Sequence, residues 1–330
     1  MLVSIVIPCK NEKNYIENCI GSFIKKANLD YDLEVLVIDG MSTDGTREIV
    51  AEINGKHANV KLIDNHVMVT PRALNLGLEN AKGDYILIAS AHSSFDENYI
   101  GKLLPYFEEF GADAVGGFME TKTLNTTAKT NSIIEVLSNK LGVGNSMFRV
   151  GVEKPQFVDT VPFGIYKKET FEEIDGYDER LIRNHDIELS KRLLARGKKI
   201  LLVPEPKCYY YAREKYSELY KNNFRNGKWN LLTVFITKNL SSLSIRHFIP
   251  MLFMLSLLIP LIASIFYKPF IYLALASLVS YSMAIILVSF GIFRSTKNTN
   301  LIYLFFTFLT LHFSYGLGSL KGLFSYFNVR

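Results

Sequence analysis

The sequence contains few cysteines and no cysteine pattern that would build a structural site. Its 330 residues include three, Cys9, Cys19 and Cys208, an odd number without metal-ligand or redox spacing. This argues against a disulfide framework and predicts a reducing cytoplasm around the soluble part. The N-terminus also lacks a basic flank, and its apolar run is too short for a signal peptide. We therefore expect the soluble part to remain on the cytoplasmic side.

Charged residues are absent from long stretches of the last third of the chain. Residues 248–267 hold none in 20 positions, which is enough to span about 30 Å of hydrocarbon. Residues 269–293 and 298–320 are uncharged as well. The sequence therefore predicts a cytoplasmic domain over 1–240 and a membrane domain over 247–330 with about three helices. The alternative is that these stretches are core helices of a larger soluble domain.

Single polar residues refine this membrane prediction. Lys268 separates the first stretch from the second, and Arg294 and Lys297 separate the second from the third. The positive-inside rule then places Arg294 and Lys297 inside and Lys268 outside, although the third stretch could instead enter the bilayer and return. His312 is expected to face protein or lipid head groups. Three glycines in or just after the third stretch would allow close helix packing: Gly316, Gly318 and Gly322.

Basic residues are concentrated just before the first uncharged stretch. The net charge is only +5, but residues 205–246 hold eight Lys or Arg against three Glu. A basic segment in this position can meet anionic lipid head groups or a lipid phosphate. A nucleic-acid-binding patch is the competing interpretation, and the adjacent uncharged stretches count against it. We predict the lipid bilayer as a partner and no nucleic acid.

Short apolar runs alternate with amphipathic stretches in the first part of the chain. The predicted strands cover residues 2–7, 34–38, 60–63 and 85–89. The predicted helices cover residues 11–26, 71–81 and a stretch that begins at about Arg47. This alternation predicts a doubly wound, mostly parallel sheet. Ligands bind outside the carboxyl ends of such strands, so Ser90, Ala91 and His92, which follow the fourth strand, are candidate site residues.

Four stretches in a fixed order carry a resemblance to a known family. They read SIVIPCKNE at 4–12, VIDGMSTDGT at 37–46, RALNLG at 72–77 and GDY at 83–85. Each stretch alone is a weak signal, but the ordered set resembles family 2 inverting glycosyltransferases. The resemblance implies a GT-A fold, in which a Rossmann-like mixed sheet binds a nucleoside diphosphate sugar, here followed by transmembrane helices. It also implies that the chain is an enzyme, a hexosyltransferase.

The resemblance implies donor-binding roles for residues at the strand ends. The acid at the position of Asp39 would hydrogen-bond the nucleotide base, and the edge from Pro8 to Glu12 would line the nucleoside pocket. The alternative for Asp39 and Asp44 is turn chemistry, in which the acid caps its own loop. The predicted donor-binding residues are Pro8, Glu12, Asp39, Asp44, Arg72 and Ser90.

The sequence departs from the family pattern at the metal motif. Members usually end the fourth strand with Asp-x-Asp or Asp-x-His, which holds Mg²⁺ or Mn²⁺ against the donor diphosphate. This chain has Ser90-Ala91-His92, so His92 is the predicted metal ligand and Ser90 replaces a carboxylate poorly. Two alternatives follow. The chain is an active enzyme with an altered metal site, or a catalytically impaired donor-binding subunit of a glycan-assembly complex.

The second part of the soluble region carries the predicted catalytic base. Strands are predicted at 112–119 and 159–166, and short strands at 199–203 and 207–211. The stretch GYDERLIRNHDIEL at 176–189, which leads into a helix through Arg196, resembles the acceptor-side segment of the family. There the acid at the position of Asp186 is the general base that deprotonates the acceptor hydroxyl during inversion. The alternative is that Asp186 and Glu188 are first-turn acids favoured by the helix dipole.

A second acceptor-side motif precedes the membrane stretches. The sequence RNGKW at 225–229 resembles a variant of the Gln-x-x-Arg-Trp motif, which in relatives lies under the acceptor and the donor diphosphate. The alternative is an interfacial helix whose Trp and Lys anchor at the bilayer surface. The predicted residues of the acceptor and diphosphate side are Gly164, His185, Glu188, Arg225, Lys228 and Trp229.

These features predict a multi-pass protein of the inner membrane with a cytoplasmic catalytic domain. The stretch VDTVPFG at 158–164 is similar to that of succinoglycan-type glucosyltransferases, which implies exopolysaccharide or lipid-linked glycan synthesis. The expected donor is a nucleoside diphosphate sugar, with uridine as the first guess, and the expected acceptor is a polyprenyl-linked sugar. A processive synthase would need more membrane helices. A nucleotidyltransferase would show a Gly-rich, basic phosphate loop after the first strand.

Overall fold

A computed structural model describes residues 1–24 and 30–326. The ends of the predicted first helix and of the predicted membrane domain, residues 25–26 and 327–330, lie outside the described residues. The chain divides into two compact units, and the second takes a segment from the middle of the sequence. The first unit comprises Met1–Glu120 and Gly151–Tyr211, and the second comprises Thr121–Val150 and Ala212–Arg330. The predicted division at about residue 240, which concerns membrane location, stays a prediction.

The strands of the described residues form one mixed sheet. They are β1 (Leu2–Cys9), β2 (Asp32–Asp39), β3 (Val60–Asp64), β4 (Tyr85–Ile88), β5 (Ser93–Phe95), β6 (Ala114–Lys122), β7 (Gln156–Phe157), β8 (Ile165–Lys167) and β9 (Ile200–Tyr211). Their order is β3-β2-β1-β4-β8-β6-β9-β5, and β7 pairs with β9. The neighbours β3, β2, β1 and β4 are parallel, as predicted, whereas β8 runs antiparallel to both β4 and β6.

Helices cover the sheet and build the second unit. Those that precede β7 are α1 (Ile16–Ile24), α2 (Thr46–Lys56), α3 (Thr70–Asn80), α4 (Tyr99–Leu103), α5 (Tyr106–Phe110), α6 (Ala128–Leu137), α7 (Lys140–Val143) and α8 (Met147–Val150). Those that follow are α9 (Lys168–Glu172), α10 (His185–Ala195), α11 (Tyr216–Thr237), α12 (Ile249–Ala263), α13 (Phe270–Ser295) and α14 (Leu301–Tyr326). Of these, α6 to α8 and α11 to α14 belong to the second unit.

The core of the first unit lies around the parallel strands. Val3, Ile5, Val6 and Ile7 of β1 are completely buried, as expected of a central strand whose two faces are both covered. Helix α3 packs directly on this strand, because a Cβ at Gly77 would lie 2.2 Å from Val6 Cγ1. The glycine therefore lets helix and strand approach more closely than any other residue would allow.

Three predicted strands of the first unit need correction. The strand predicted at 159–166 is formed only at Ile165–Lys167, because Pro162 has no backbone N–H and Phe163 has a positive φ of 44°. The strands predicted at 199–203 and 207–211 are one continuous strand, β9. The short strand β5, which follows His92, was not predicted and pairs with β9.

The second unit is helical, and two of its helices approach very closely. A Cβ at Gly227 of α11 would lie 2.0 Å from the Tyr315 carbonyl oxygen, and one at Gly318 of α14 would lie 2.1 Å from the Phe224 carbonyl oxygen. The expected close packing at the glycines of the third uncharged stretch is confirmed. His312 also faces protein, since its Nε2 lies 2.9 Å from the Leu141 carbonyl oxygen.

The predicted membrane helices are only partly as expected. By length and composition, α13 and α14 could each cross a membrane, whereas α12 is shorter. The first predicted segment, 248–267, forms a helix of 15 residues with Pro260 inside it, about 22 Å long at 1.5 Å per residue. This is short of the roughly 30 Å hydrocarbon core, so the prediction of a full span at 248–267 is not met by α12 alone.

Candidate active site

The loops that follow β1 and β2 are tied together at the carboxyl edge of the sheet. The Asn11 N–H donates to Ser42 Oγ at 2.8 Å, and the Thr43 N–H donates back to Asn11 Oδ1 at 2.9 Å. The Glu12 N–H donates to Thr46 Oγ1 at 2.9 Å. Asn11 adopts a left-handed conformation with φ 57°, which asparagine tolerates better than most residues. These bonds hold the predicted nucleoside edge, Pro8 to Glu12, against the second loop.

Asp39 is the buried centre of the second loop. Its side chain is fully buried and accepts hydrogen bonds from the Ser42 N–H at 2.9 Å, the Ser42 hydroxyl and Arg47 Nη1 at 2.7 Å. Burial disfavours the charged carboxylate, but the hydrogen bonds from Ser42 and Arg47 outweigh it and lower the Asp39 pKa. Arg47 also pairs with Asp64 at 2.8 Å. Contact of Asp39 with a nucleotide base stays a prediction.

Asp44 has the geometry of a turn acid. Its Oδ1 accepts from the Thr46 N–H at 3.0 Å and from the Thr46 hydroxyl, and its Oδ2 accepts from the Lys13 N–H at 3.1 Å. The hydrogen bond from the Thr46 hydroxyl is the main reason that the Asp44 pKa is lowered. This geometry favours the turn-chemistry alternative for Asp44. Its donor-binding role stays a prediction.

His92 is paired with a carboxylate that the family motif does not name. Its Nδ1 lies 3.2 Å from Glu12 Oε1, and the Ser90 hydroxyl lies 3.3 Å from the same nitrogen. The rings of Tyr15 and Tyr210 meet the imidazole edge-on, with centroids 6.5 and 6.1 Å away. Both the His92 and Glu12 side chains keep partial exposure, 32% and 23%. The carboxylate therefore orients the imidazole while leaving it accessible at the sheet edge.

A protein-only metal site is absent from this edge. No group of three or more His, Cys, Asp or Glu side chains able to hold an ion occurs within residues 1–24 and 30–326. Glu12 and His92 offer one carboxylate and one imidazole, and Ser90 offers a hydroxyl. Magnesium is commonly bound by one or two carboxylates together with substrate phosphates. The residues present therefore fit only an ion that shares its coordination with the donor.

Arg72, at the start of α3, forms ion pairs with two acids. Its Nη1 lies 2.9 Å from Glu79 Oε1 and 3.1 Å from Glu179 Oε1. Asn75 Nδ2 donates to the same Glu179 oxygen at 2.9 Å, and also to the Tyr177 carbonyl. Arg72 thus connects α3 to the segment before α10, and its predicted contact with the donor stays a prediction.

Asp186 stands apart from the other predicted acids. It lies in the first turn of α10 and is exposed, and no side-chain partner for its carboxylate is present in the described parts of the chain. Two buried phenols lie close enough to respond to it. The pKa values of Tyr166 and Tyr177 are raised, mainly by burial and further by the negative charge of Asp186. The first turn of α10 therefore presents an unpaired carboxylate to solvent.

Glu188, two residues further along α10, takes part in an internal ion pair. Its side chain is buried and forms a two-pronged ion pair with Arg192, at 2.7 Å from Nε and 2.9 Å from Nη2. Arg192 also donates to the carbonyl oxygens of Ile174 and Gly176. The pair locks the loop before α10 to the helix. Sequence reasoning missed Arg192, although its spacing of four residues from Glu188 is a recognisable signal.

His185 and Gly164 occupy packed positions. The His185 ring meets the Tyr177 ring edge-on at 5.8 Å, and its Nδ1 is a buried atom without a hydrogen-bond partner in the described structure. Burial lowers the His185 pKa, which favours the neutral imidazole. A Cβ at Gly164 would lie 2.8 Å from Val161 Cγ2, so this glycine permits close packing. The acceptor-side roles of both residues stay predictions.

The remaining predicted residues belong to the second unit. Arg225 is exposed, and Lys228 and Trp229 are half-buried, on the long helix α11. The three residues share one helix, as the motif predicts. Their placement under the donor diphosphate stays a prediction.

A comparison with family models identifies the family of the chain. Residues 4–174 match the model described as glycosyl transferase family 2, which is more than half of the chain. The chain belongs to glycosyl transferase family 2. The prediction of a glycosyltransferase is confirmed.

Two relatives of this glycosyltransferase are a succinoglycan biosynthesis protein and a transferase named for a dolichyl-linked sugar phosphate. The succinoglycan biosynthesis protein ExoA of Rhizobium meliloti (strain 1021) is 30% identical over 226 residues, which cover 68% of this chain and 67% of ExoA. The second is the dolichyl N-acetyl-alpha-D-glucosaminyl phosphate 3-beta-D-2,3-diacetamido-2,3-dideoxy-beta-D-glucuronosyltransferase of Methanococcus voltae. It is 26% identical over 251 residues, which cover 71% of this chain and 77% of that protein.

A solved structure confirms the fold of the glycosyltransferase. The mannosyltransferase PcManGT from Pyrobaculum calidifontis, in complex with GDP-Man and Mn²⁺, superposes with a TM-score of 0.60. The match covers 98% of this chain and 87% of PcManGT, at 16% identity. The predicted GT-A architecture with a mixed sheet is therefore confirmed.

Proposed function

We propose that this glycosyltransferase moves a hexose, with inversion, from a nucleoside diphosphate sugar to a polyprenyl-linked acceptor. The reaction would take place at the cytoplasmic face of the inner membrane, in exopolysaccharide or lipid-linked glycan synthesis. The observation that carries the proposal is the exposed carboxylate of Asp186 at the start of α10, which has no side-chain partner among the described residues. The names of the two relatives support the class of product, since one belongs to succinoglycan biosynthesis and the other acts on a dolichyl-linked sugar.

In the proposed mechanism Asp186 is the general base. Its carboxylate accepts the proton of the acceptor hydroxyl while that oxygen attacks the anomeric carbon. The bond from the anomeric carbon to the diphosphate oxygen breaks, and its electron pair leaves with the nucleoside diphosphate. Attack from the face opposite the leaving group inverts the anomeric centre. Proton transfer of this kind contributes about 10²–10⁴-fold to the rate.

The donor would bind at the carboxyl edge of β1, β2 and β4. The tied loops hold Pro8, Glu12 and the buried Asp39 in one rigid edge, and the His92 imidazole lies beside Glu12. Uridine is the first candidate for the nucleoside. Guanosine is the second, because the solved structure that shares the fold contains GDP-Man. Arg225, Lys228 and Trp229 would contribute cations and an aromatic ring to the diphosphate and the sugar.

A divalent ion is part of the proposal only in combination with the donor. Mg²⁺ or Mn²⁺ would be held by His92 and Glu12 together with the donor's own phosphate oxygens, since the described protein ligands are too few alone. When bound, such an ion would neutralise charge on the leaving diphosphate. The dependence of turnover on added metal tests this part separately from the role of Asp186.

The membrane location is supported by the surface of the second unit. Large apolar side chains of α12 and α13 are more than half exposed, among them Leu252, Ile259, Tyr272, Leu273 and Leu287. Water is a poor solvent for a surface of this kind, and a bilayer would cover it. We propose a multi-pass protein whose basic segment at 205–246 meets the lipid head groups.

The test is release of nucleoside diphosphate by the full-length chain in detergent. A panel of UDP- and GDP-sugars is supplied with a polyprenyl-diphosphate sugar acceptor, in the presence of Mn²⁺, Mg²⁺ or a chelator. We expect acceptor-dependent turnover with one donor, and its loss in Asp186→Asn. The matched control is Asp175→Asn, an exposed acid with φ 56°, a conformation that asparagine also tolerates. Donor binding without turnover by any acceptor would favour the donor-binding-subunit alternative, which the Ser90 replacement suggests.

A further inference from the structure

Asn75, in the middle of α3, uses its side-chain amide on the loop that precedes α10. Its Oδ1 accepts from the Tyr177 N–H at 2.8 Å, and its Nδ2 donates to the Tyr177 carbonyl oxygen at 2.9 Å. The same Nδ2 donates to Glu179 Oε1 at 2.9 Å. An asparagine amide has one carbonyl oxygen and two N–H donors, so these three bonds engage all of them. Asn75 thus pairs with both backbone groups of Tyr177, as a neighbouring strand would.

The loop before α10 has a glycine where the amide of Asn75 lies. A Cβ at Gly176 would lie 2.7 Å from Asn75 Oδ1, so any other residue there would displace the amide. Gly176 has a positive φ of 61°, which glycine adopts without strain. The same loop is bonded to α10, because Arg192 donates to the carbonyl oxygens of Ile174 and Gly176. The loop is therefore tied to both α3 and α10.

The side chain of Tyr177 connects this loop to the first turn of α10. It is buried, and its ring meets the His185 ring edge-on with centroids 5.8 Å apart. His185 directly precedes Asp186 in that turn. The Tyr177 pKa is raised mainly by burial and further by the negative charge of Asp186, so the phenol and the carboxylate lie close together. Because protein interiors are closely packed, a shift of Tyr177 should also shift the turn that carries Asp186.

Helix α3 is itself fixed on the strand that leads to the predicted nucleoside edge. Gly77 of α3 packs on Val6 of β1, since a Cβ at Gly77 would lie 2.2 Å from Val6 Cγ1. Strand β1 continues to Cys9, into the edge from Pro8 to Glu12. Two residues apart on a helix are separated by about 200°, so Asn75 and Gly77 point to nearly opposite sides. Helix α3 therefore connects β1 to the loop before α10.

We propose that Asn75 is a positioning residue, which holds Asp186 in a fixed place relative to the donor-binding edge of β1. It acts through Asp186, by fixing Tyr177, against which the first turn of α10 packs. This inference rests on the proposed function, in which Asp186 is the general base. Base, acceptor hydroxyl and anomeric carbon must be aligned for the reaction, and a displacement of about 1 Å can cost about 10²-fold in rate.

The first experiment tests the positioning without any substrate. Backbone hydrogen exchange is measured by mass spectrometry on the full-length chain in detergent. The variant is Asn75→Ala, and the matched control is Asn59→Ala, which removes an asparagine bond to the Leu33 carbonyl oxygen at 3.0 Å. We expect faster exchange over residues 177–187 in Asn75→Ala only. Unchanged exchange there would overturn the proposal.

A milder variant is available if Asn75→Ala does not fold. Asn75→Asp keeps an acceptor for the Tyr177 N–H and loses both donors of the amide. We expect it to give the same local increase in exchange over residues 177–187. Unchanged exchange in this variant would overturn the proposal in the same way.

The second experiment tests whether Asn75 acts through Asp186. Turnover is measured with the UDP- and GDP-sugars and the polyprenyl-diphosphate sugar acceptor. We expect Asn75→Ala to lower kcat by up to about 10²-fold, with the donor KM near that of the parent. In the Asp186→Asn background the same substitution should cause little further loss, because the group it positions is gone. A loss by the same factor in both backgrounds would overturn the proposal, since a smaller folded fraction lowers both activities equally.

The outcomes separate this inference from the proposed function. Full activity of Asp186→Asn would contradict the proposed base and, with it, the catalytic meaning of its position. Loss of activity in Asp186→Asn, together with the parent kcat in Asn75→Ala, would contradict only the role of Asn75. The exchange experiment needs no turnover, so it tests the positioning in either case.

Discussion

The acids at two places in the first unit differ in burial and in hydrogen bonding. At the loops after β1 and β2, Asp39 is fully buried and Asp44 is held by Thr46 and Lys13. At the start of α10, Asp186 is exposed and unpaired within the described structure. A carboxylate whose lone pairs are already used maintains a shape, whereas one without partners can accept a proton. We expect the hydrogen bonds of an acid, together with its place in a motif, to indicate which role it has.

Removal of the unpaired carboxylate should have the largest effect. Asp186→Asn removes the proposed base while preserving size and exposure, so we expect kcat to fall about 10²–10⁴-fold. The thermal unfolding temperature should stay within about 1–2 °C, because an exposed, unpaired group contributes little to stability. Steady-state nucleotide release and a thermal-shift assay measure the two quantities. An equal loss of activity in Asp175→Asn would contradict the assignment.

Substitution of Glu188, the buried acid on the same helix, should mainly lower the stability of the protein. Glu188→Gln leaves Arg192 without its ion partner, and such a break inside a protein costs about 3–5 kcal/mol. Because the Arg192 side chain is 31% exposed, we expect the lower part of that range, seen as a clear drop in the unfolding temperature in detergent. Arg192→Met combined with Glu188→Gln should be less than additive. Full additivity would mean that the pair is not coupled.

Close helix packing in the second unit gives a smaller, purely structural effect. Gly318→Ala places a methyl group where Phe224 carbonyl oxygen lies 2.1 Å away, so α11 and α14 must separate, at a cost of about 1–3 kcal/mol. The matched control is Gly291→Ala on α13, whose Cβ would meet nothing within 4 Å. We expect a lower unfolding temperature for the first variant only. Equal behaviour of the two would show that the close approach is not maintained.

The smallest expected effect concerns pH. Burial lowers the His185 pKa, whereas the charge of Asp186 raises it and that of Arg183 lowers it further. A histidine with a lowered folded-state pKa contributes stability that is present above the unfolded pKa of about 6.5 and is lost as pH falls below it. When the pH is lowered from 7.5 to 5.5, the unfolding temperature of His185→Phe should therefore fall less than that of the parent chain. His57→Gln, at an exposed histidine, should follow the parent.

Much of the first unit could be predicted from local sequence. The apolar runs of β1 to β4 and the amphipathic repeats between them are local signals, and parallel pairing follows from their alternation. The strand predicted at 159–166 is longer than the observed strand β8, because Phe163 has a positive φ. No sequence rule assigns a positive φ to phenylalanine. Strand β5 was missed, since three residues are too few for a periodic signal.

The sequence by itself determined the family, the alternation of strands and helices up to β4, and which acids are candidate site residues. Only the tertiary structure decided that Asp39 is buried and bonded to Ser42 and Arg47, that Glu12 lies beside His92, and that Glu188 pairs with Arg192. The physical reason is that hydrophobic periodicity is a property of neighbouring residues, whereas the partner of a charge comes from wherever the chain folds back.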